Sequence, residues 1–218
     1  GSEMCIRDRY CDVKRAKKQI FTKEHRAVAR KIASESLVLL KNEGNVLPLA
    51  KKGTIAVVGP LADSRSNMPG TWSVAAVLKN ATSLAEGLKA VAGGKAEILT
   101  AKGCNLMSDA EYEKRATMFG RSLHRDNRSD KELLDEALAV AAKSDVIVAA
   151  LGESSEMSGE SSCRTNLEMT DTQRILLQEL LKTGKPVVLV LFTGRPLVLN
   201  WDCLLYTSPS PRDMRRSR

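Results

Sequence analysis

Val146-Ile147-Val148-Ala149-Ala150-Leu151 is an unbroken run of six apolar residues, and Gly152 follows it directly. A run this short and this apolar reads as a strand buried on both faces, as parallel strands are. The chain then continues Gly152-Glu153-Ser154-Ser155-Glu156-Met157-Ser158-Gly159-Glu160-Ser161-Ser162-Cys163-Arg164. Three carboxylates and one arginine thus sit on hydroxyl-rich loop backbone at the carboxyl end of a strand. Open α/β sheets bind ligands at that edge, and a carboxylate held there can be tuned as a proton donor.

Working outward, three more strands are expected: Thr54 to Gly59, Ala96 to Ala101 and Pro186 to Phe192. Between them the apolar spacing predicts helices over residues 83–91, 131–142 and 171–181, with Gly93-Gly94 and Gly184 as stops. An earlier amphipathic helix is predicted over 22–42, with Thr22 as N-cap and Gly44 and Pro48 closing the segment. Residues 108–128 are polar and show no clear period. Strands alternating with helices give an α/β fold with right-handed crossovers. The expectation is a three-layer α/β sandwich with a mostly parallel sheet. Trp201 falls just where another strand should follow, so the sheet is read as truncated before its last strands.

The 218 residues suffice for one domain with a real core. The apolar share of 43% and the charged share of 28% are ordinary for a globular domain. Aromatics make up only 4%, which argues against a stacking platform for single strands. Of the net charge of +8, three units come from residues 203–218, where four arginines face one aspartate. The remaining excess reads as solvated surface, and no nucleic-acid partner is expected. No apolar run approaches the roughly 20 residues of a membrane helix, so no membrane partner is expected either. No signal peptide is visible.

Both ends read as foreign. Residues 1–9 and 203–213 look like translated sequencing adapters. Leu205 to Ser208 can be written TTA TAC ACA TCT, whose reverse complement contains ATG TGT ATA, the codons of Met4-Cys5-Ile6. The expected organisation is an adapter-derived tail over 1–9, an inter-domain linker and helix over 10–50, the sandwich over 51–202 and a second tail over 203–218. Asp202 abuts that junction and reads equally as Glu. Three cysteines remain in the body: Cys11, Cys104 and Cys163. Their spacing suits no metal, and free thiols are expected. The only histidines are His25 and His124, and without a Cys/His cluster no metal or other cofactor is expected.

Several ordered blocks carry a family likeness. Glu24-His25-Arg26 followed by Ala33-Ser34-Glu35-Ser36-Leu37-Val38-Leu39-Leu40-Lys41-Asn42-Glu43-Gly44-Asn45-Val46-Leu47-Pro48-Leu49 resembles the junction leading into the C-terminal domain of glycoside hydrolase family 3. Val57-Val58-Gly59-Pro60-Leu61-Ala62-Asp63, Gly70-Thr71-Trp72-Ser73, Met157 to Arg164, and Gly184 to Leu191 with Gly194-Arg195-Pro196-Leu197 are similar to its periplasmic β-glucosidase subgroup. The likeness spans about residues 10–202. Cys163 departs from it, standing where similar sequences usually carry Ser. The resemblance implies a two-domain catalytic unit acting on glycosides or oligosaccharides in the periplasm or outside the cell. A (β/α)8-type barrel would carry the aspartate nucleophile, and the loop after the third strand would complete the site.

Retaining glycoside hydrolysis uses two carboxyl groups about 5–5.5 Å apart, one as nucleophile and one as acid/base. Only the second could come from this chain. Glu160 ranks first, since it matches the glutamate of the family's Gly-Glu-x-x-x-Arg block. Glu153, nearer the strand end, ranks second as a catalytic candidate, and Glu156 third. Each also reads as an ordinary solvated loop glutamate. Arg164 either orients a carboxylate or sugar hydroxyls by bidentate donation, or pairs with Glu168 on the surface. Trp72 either walls a leaving-group subsite by stacking on a sugar face or anchors its own loop. Asp63 reads as a turn cap, and His25 as structural.

Two rival readings differ in class. A nucleotide-binding α/β domain would need a glycine-rich phosphate turn after the first strand. Here Gly59-Pro60-Leu61-Ala62-Asp63 puts proline and aspartate where bare amides are required. The other rival is a non-catalytic sugar-binding or interaction module.

Overall fold

The computed structural model describes residues 14–73, 75–115, 124–160 and 162–199. The tails read as adapter-derived, Cys11 and Asp202 lie outside them. The chain divides into two compact units at Leu47/Pro48.

In the first unit, helix α1 spans Lys23–Glu35. Thr22 caps it by accepting the His25 backbone N–H at 3.3 Å. Apolar spacing predicts a helix reaching residue 42, but it stops at Ser36. There the Ser36 hydroxyl donates back to the Ile32 carbonyl at 2.7 Å, a local bond that competes with helix propagation. Leu37 to Leu40 is a continuous apolar run that offers no helical period. Asn42 then brackets the turn around Gly44, giving Nδ2–H to the Leu47 carbonyl and accepting the Leu47 N–H, at 2.8 and 2.9 Å.

The second unit holds a four-stranded sheet: β1 Thr54–Val58, β2 Glu97–Ala101, β3 Val146–Gly152 and β4 Val187–Phe192. Its order is β2-β1-β3-β4 and every pairing is parallel. The crossover helices are α2 Leu84–Ala92, α4 Asp130–Ala142 and α5 Asp171–Lys182, with short α3 over Ala110–Arg115 in the stretch that showed no period.

Period-two alternation divides the strands between two cores. Ala56, Val58, Ile147, Ala149 and Leu151 pack with Ala137 and Ala141 of α4 and Leu176, Leu177 and Leu180 of α5. Ile55, Val57, Val148 and Ala150 pack with Ala85 and Ala92 of α2. Helices therefore cover both faces, as the near-continuous apolar strands required. This is the expected three-layer α/β arrangement.

Two helix ends show how side chains complete it. At the start of α2, Ser83 accepts the Glu86 N–H while Glu86 accepts the Ser83 N–H, a capping box. The Glu86 carboxylate also takes Arg65 in a close ion pair. The Arg65 bond and the Ser83 amide together hold the Glu86 carboxyl down at about 2. At the end of α4, Lys185 Nζ donates to the carbonyls of Ala141, Ala142 and Ser144 at 2.8, 2.6 and 2.5 Å. A cation there meets both the unsatisfied carbonyls and the negative end of the helix dipole.

Two outcomes are expected. Lys185→Met should cost about 1–2 kcal/mol and lower the thermal midpoint by a few degrees. Glu86 is depressed in the fold, so its contribution is complete above about pH 4.5 and lost as pH falls toward about 2. The stability gap between the parent chain and Glu86→Gln, measured by urea unfolding, should therefore close across that window.

Candidate active site

Two central strands end on glycines of unusual backbone, Gly59 with φ 129° and Gly152 with φ 128°. A Cβ on Gly59 would lie 2.2 Å from the Ala150 carbonyl oxygen, and one on Gly152 would lie 1.9 Å from that of Phe192. Glycine alone lets each chain leave its strand while pressed against the neighbour. Gly152 is then gripped by Gln173 of α5, whose side chain is completely buried. Gln173 Oε1 accepts the Gly152 N–H at 2.7 Å, and its Nε2 donates to the Gly152 carbonyl at 2.9 Å. The Gln173 Nε2 also faces the Leu106 carbonyl at 3.1 Å.

The next residue, Glu153, gives its N–H to the Phe192 carbonyl at 2.8 Å and turns its carboxylate inward. That side chain is only 1% exposed. Arg164 Nη1 donates to Glu153 Oε1 at 2.8 Å, Arg195 Nε lies 3.2 Å from the same oxygen, and the Thr193 hydroxyl approaches Oε2 at 3.5 Å. Glu153 and Arg164 are the two ends of the loop, so their pair closes its base. Five further hydrogen bonds fasten the loop beyond that pair. Asn67 Oδ1 accepts the Ser155 N–H at 3.0 Å, and the Thr71 hydroxyl lies against the Ser155 and Ser158 carbonyls. Arg195 Nη2 donates to the Met157 carbonyl at 2.5 Å, and the Ser162 hydroxyl to the Glu156 carbonyl at 3.1 Å.

The three glutamates therefore differ sharply. Glu153 and Glu156 are buried, and Glu160 is exposed at the loop's outer part. Glu156, third among the candidate acids and also a candidate substrate contact by its place on the loop, is buried because the loop's 3-10 turn, Ser155–Met157, folds it under. Arg164 does orient a carboxylate, that of Glu153. It meets Glu168 only through the backbone carbonyl, at 2.6 Å, because the Glu168 carboxylate is taken by Arg174 at 3.0 Å. Trp72 is 57% exposed and so is not a buried loop anchor. Asp63 accepts the Ser83 hydroxyl at 2.5 Å, tying the loop after β1 to the cap of α2. His124 takes a left-handed backbone and its carbonyl accepts Lys102 Nζ at 2.6 Å; burial lowers the pKa of that ammonium. Cys104 is a buried free thiol that desolvation pushes up, and Cys163 is free and exposed.

Asn67, Thr71, Gln173 and Arg195 carry no assigned role in the sequence reading. Only Thr71 and Arg195 carried any signal, as parts of the Gly70-Thr71-Trp72-Ser73 and Gly194-Arg195-Pro196 blocks. Two clefts adjoin this region. One of about 600 Å3 lies at the ends of β1 and β2, bordered by Asp63, Arg65, Lys102 and Arg128. The other, about 580 Å3, lies beside Arg164, between Met107, Met157 and Met169. Glu160 lines neither. Among the described residues, no group of three or more His, Cys, Asp or Glu is placed to hold a metal ion, and no helix is long and apolar enough to cross a membrane.

Comparison with known proteins adds identity to this geometry. The profile of the glycosyl hydrolase family 3 C-terminal domain matches residues 37–209. A periplasmic β-glucosidase of Salmonella typhimurium is 46% identical over 175 residues, covering 80% of this chain and 23% of that protein. A β-xylosidase of Formosa agariphila is 33% identical over 186 residues, covering 83% and 23%. A mutant β-glucosidase from Listeria innocua, solved in complex with laminaribiose, superposes with a TM-score of 0.68 at 33% identity, covering 88% of this chain and 23% of that one. The chain thus spans about a quarter of the length of these relatives.

Gln173→Leu should leave the Gly152 amide and carbonyl buried without partners. A loss of about 2–3 kcal/mol in urea-unfolding stability is expected, well above the few tenths expected for an exposed change such as Lys182→Ala.

Proposed function

We propose, for a chain that belongs to the glycosyl hydrolase family 3 C-terminal domain family, that it forms the α/β part of a retaining β-glucosidase and that Glu160 is the general acid/base. The exposure of Glu160 carries this reading. Of the three carboxylates on the β3 loop, it alone can meet a ligand from outside, while Glu153 and Glu156 are enclosed. The other requirement, a carboxylate nucleophile about 5–5.5 Å from the acid/base, is met by a barrel domain against which this loop docks. An acid/base standing on an open surface, rather than in a cleft of its own unit, suits a site completed by a second surface.

The chemistry follows from that placement. Glu160 gives its proton to the departing glycosidic oxygen as the nucleophile attacks, and then takes one from the water that hydrolyses the glycosyl intermediate. Exposed Trp72 offers an indole face for stacking on the leaving-group sugar. The substrate class is a β-glucoside or short oligosaccharide, in line with the names of the relatives, and the location is periplasmic or secreted, in line with the Salmonella relative. No cofactor enters the reaction.

The chain alone should not hydrolyse an aryl β-glucoside. Grafted in place of the matching segment of the Salmonella enzyme, it should support turnover. In that hybrid, Glu160→Gln should lower kcat/KM on alkyl glucosides by roughly 100- to 10,000-fold. Activated aryl glucosides, which need little protonation, should lose much less. Equal losses on both substrates would remove Glu160 from the proton-transfer role.

A further inference from the structure

Glu153 is the carboxylate nearest the strand end, yet its surroundings suit a fastening rather than a reaction. Its side chain is 1% exposed, its Oε1 accepts from Arg164 at 2.8 Å with Arg195 Nε 3.2 Å away, and the Thr193 hydroxyl stands 3.5 Å from Oε2. The two arginines come from different segments and each has a second grip. Arg164 holds the Glu168 carbonyl, and Arg195 holds the Met157 carbonyl. Glu153 is thus the point where both ends of the β3 loop and the segment after β4 are tied. We propose that Glu153, Arg164 and Arg195 form a buried clasp that positions the loop bearing Glu160, and that none of the three exchanges a proton with substrate. This deepens, and rests on, the assignment of Glu160 as acid/base.

The mechanical logic is explicit. Residues 153–158 are fastened by Phe192, Asn67, Thr71 and Arg195. Gly159 packs against the Thr71 side chain, where an added Cβ would sit 3.3 Å away. Glu160 follows immediately, so its place is set by how well this stretch is held. Releasing the clasp leaves Glu160 chemically intact but misplaced, and a displacement of about 1 Å is worth on the order of a hundredfold in rate.

The test has two arms. In the chain itself, Glu153→Gln, Arg164→Met and Arg195→Met are compared by amide hydrogen exchange. The Ser155 and Met157 amides should exchange at least tenfold faster in each variant, while those of β1 and β3 up to Leu151 stay protected. No change at Ser155 and Met157, or loss of protection throughout the sheet, would overturn the clasp. In the hybrid enzyme, Glu153→Gln should lower kcat by roughly ten- to a hundredfold on alkyl and activated aryl glucosides alike. Azide separates the roles. As an anion that needs no general base, it should restore turnover of an activated substrate to Glu160→Ala, forming the glycosyl azide, and should do nothing for Glu153→Ala. Rescue of Glu153→Ala would make Glu153 the acid/base and refute the proposal. A hybrid inactive before any substitution would count against the β-glucosidase reading, while the exchange arm would still decide the clasp.

Discussion

The arrangement depends on one buried carboxylate shared between two guanidinium groups. Removing a carboxylate and an arginine from water is expensive, and the mutual attraction of a buried pair repays that cost only when the remaining polar atoms are also satisfied. The group meets that condition at Arg164 and falls one atom short at Arg195, whose buried Nε lies 3.2 Å from Glu153 Oε1 without a hydrogen bond. The two Glu153 oxygens face Arg164, Arg195 and Thr193, and the arginines direct further nitrogens to the Glu168 and Met157 carbonyls. A well-packed apolar cluster could be as stable, but it would be indifferent to rotation and slippage. Charged forks aimed at particular oxygens fix distance and direction together.

That clasp works only because the strand ends are prepared for it. Gly152 adopts a backbone that brings the Phe192 carbonyl within what would be bonding contact of a Cβ, and Gln173 satisfies the peptide groups left at the turn. Gly59 repeats the device one strand away, against Ala150. The sheet order β2-β1-β3-β4 places these two glycine exits side by side, where the crossover direction changes. Loops leaving adjacent strands diverge at such a point and open a crevice. Here Asn67 and Thr71, from the β1 side, reach across to the β3 loop and hold it.

Much of this was legible in the chain. The apolar runs located all four strands, because a strand covered on both faces cannot hide its composition. Apolar spacing and the Gly93-Gly94 stop placed the helix over 83–91, close to the observed Leu84–Ala92. The end of α1 was misplaced by several residues because Ser36 ends it through its own side chain, a choice that apolar spacing does not register. The clasp was legible only in part. Glu153 and Arg164 stood out by position, but their pairing spans eleven residues of irregular loop. Gln173, Asn67, Thr71 and Arg195 act across some 20 to 90 residues, on backbone atoms that every residue carries. A side chain that recognises a peptide group leaves no complementary residue to find. Glu156 misled for the opposite reason, since a glutamate among serines looks solvated until a 3-10 turn folds it under.

On the proposed assignment, the division between Glu153 and Glu160 reconciles two demands that one residue could not meet. A group that fixes a loop needs full enclosure and engaged oxygens. A group that gives a proton to a leaving oxygen and then takes one from water needs an open approach and a free lone pair. Seven residues apart, the two glutamates occupy those opposite environments on a single loop. The stretch between them is tied at Ser155, Met157 and Ser158, so enclosure at one end becomes orientation at the other. Rigid backbone at the base and an exposed carboxylate beyond it are what a surface must offer if its partner is to supply the other half of a reaction.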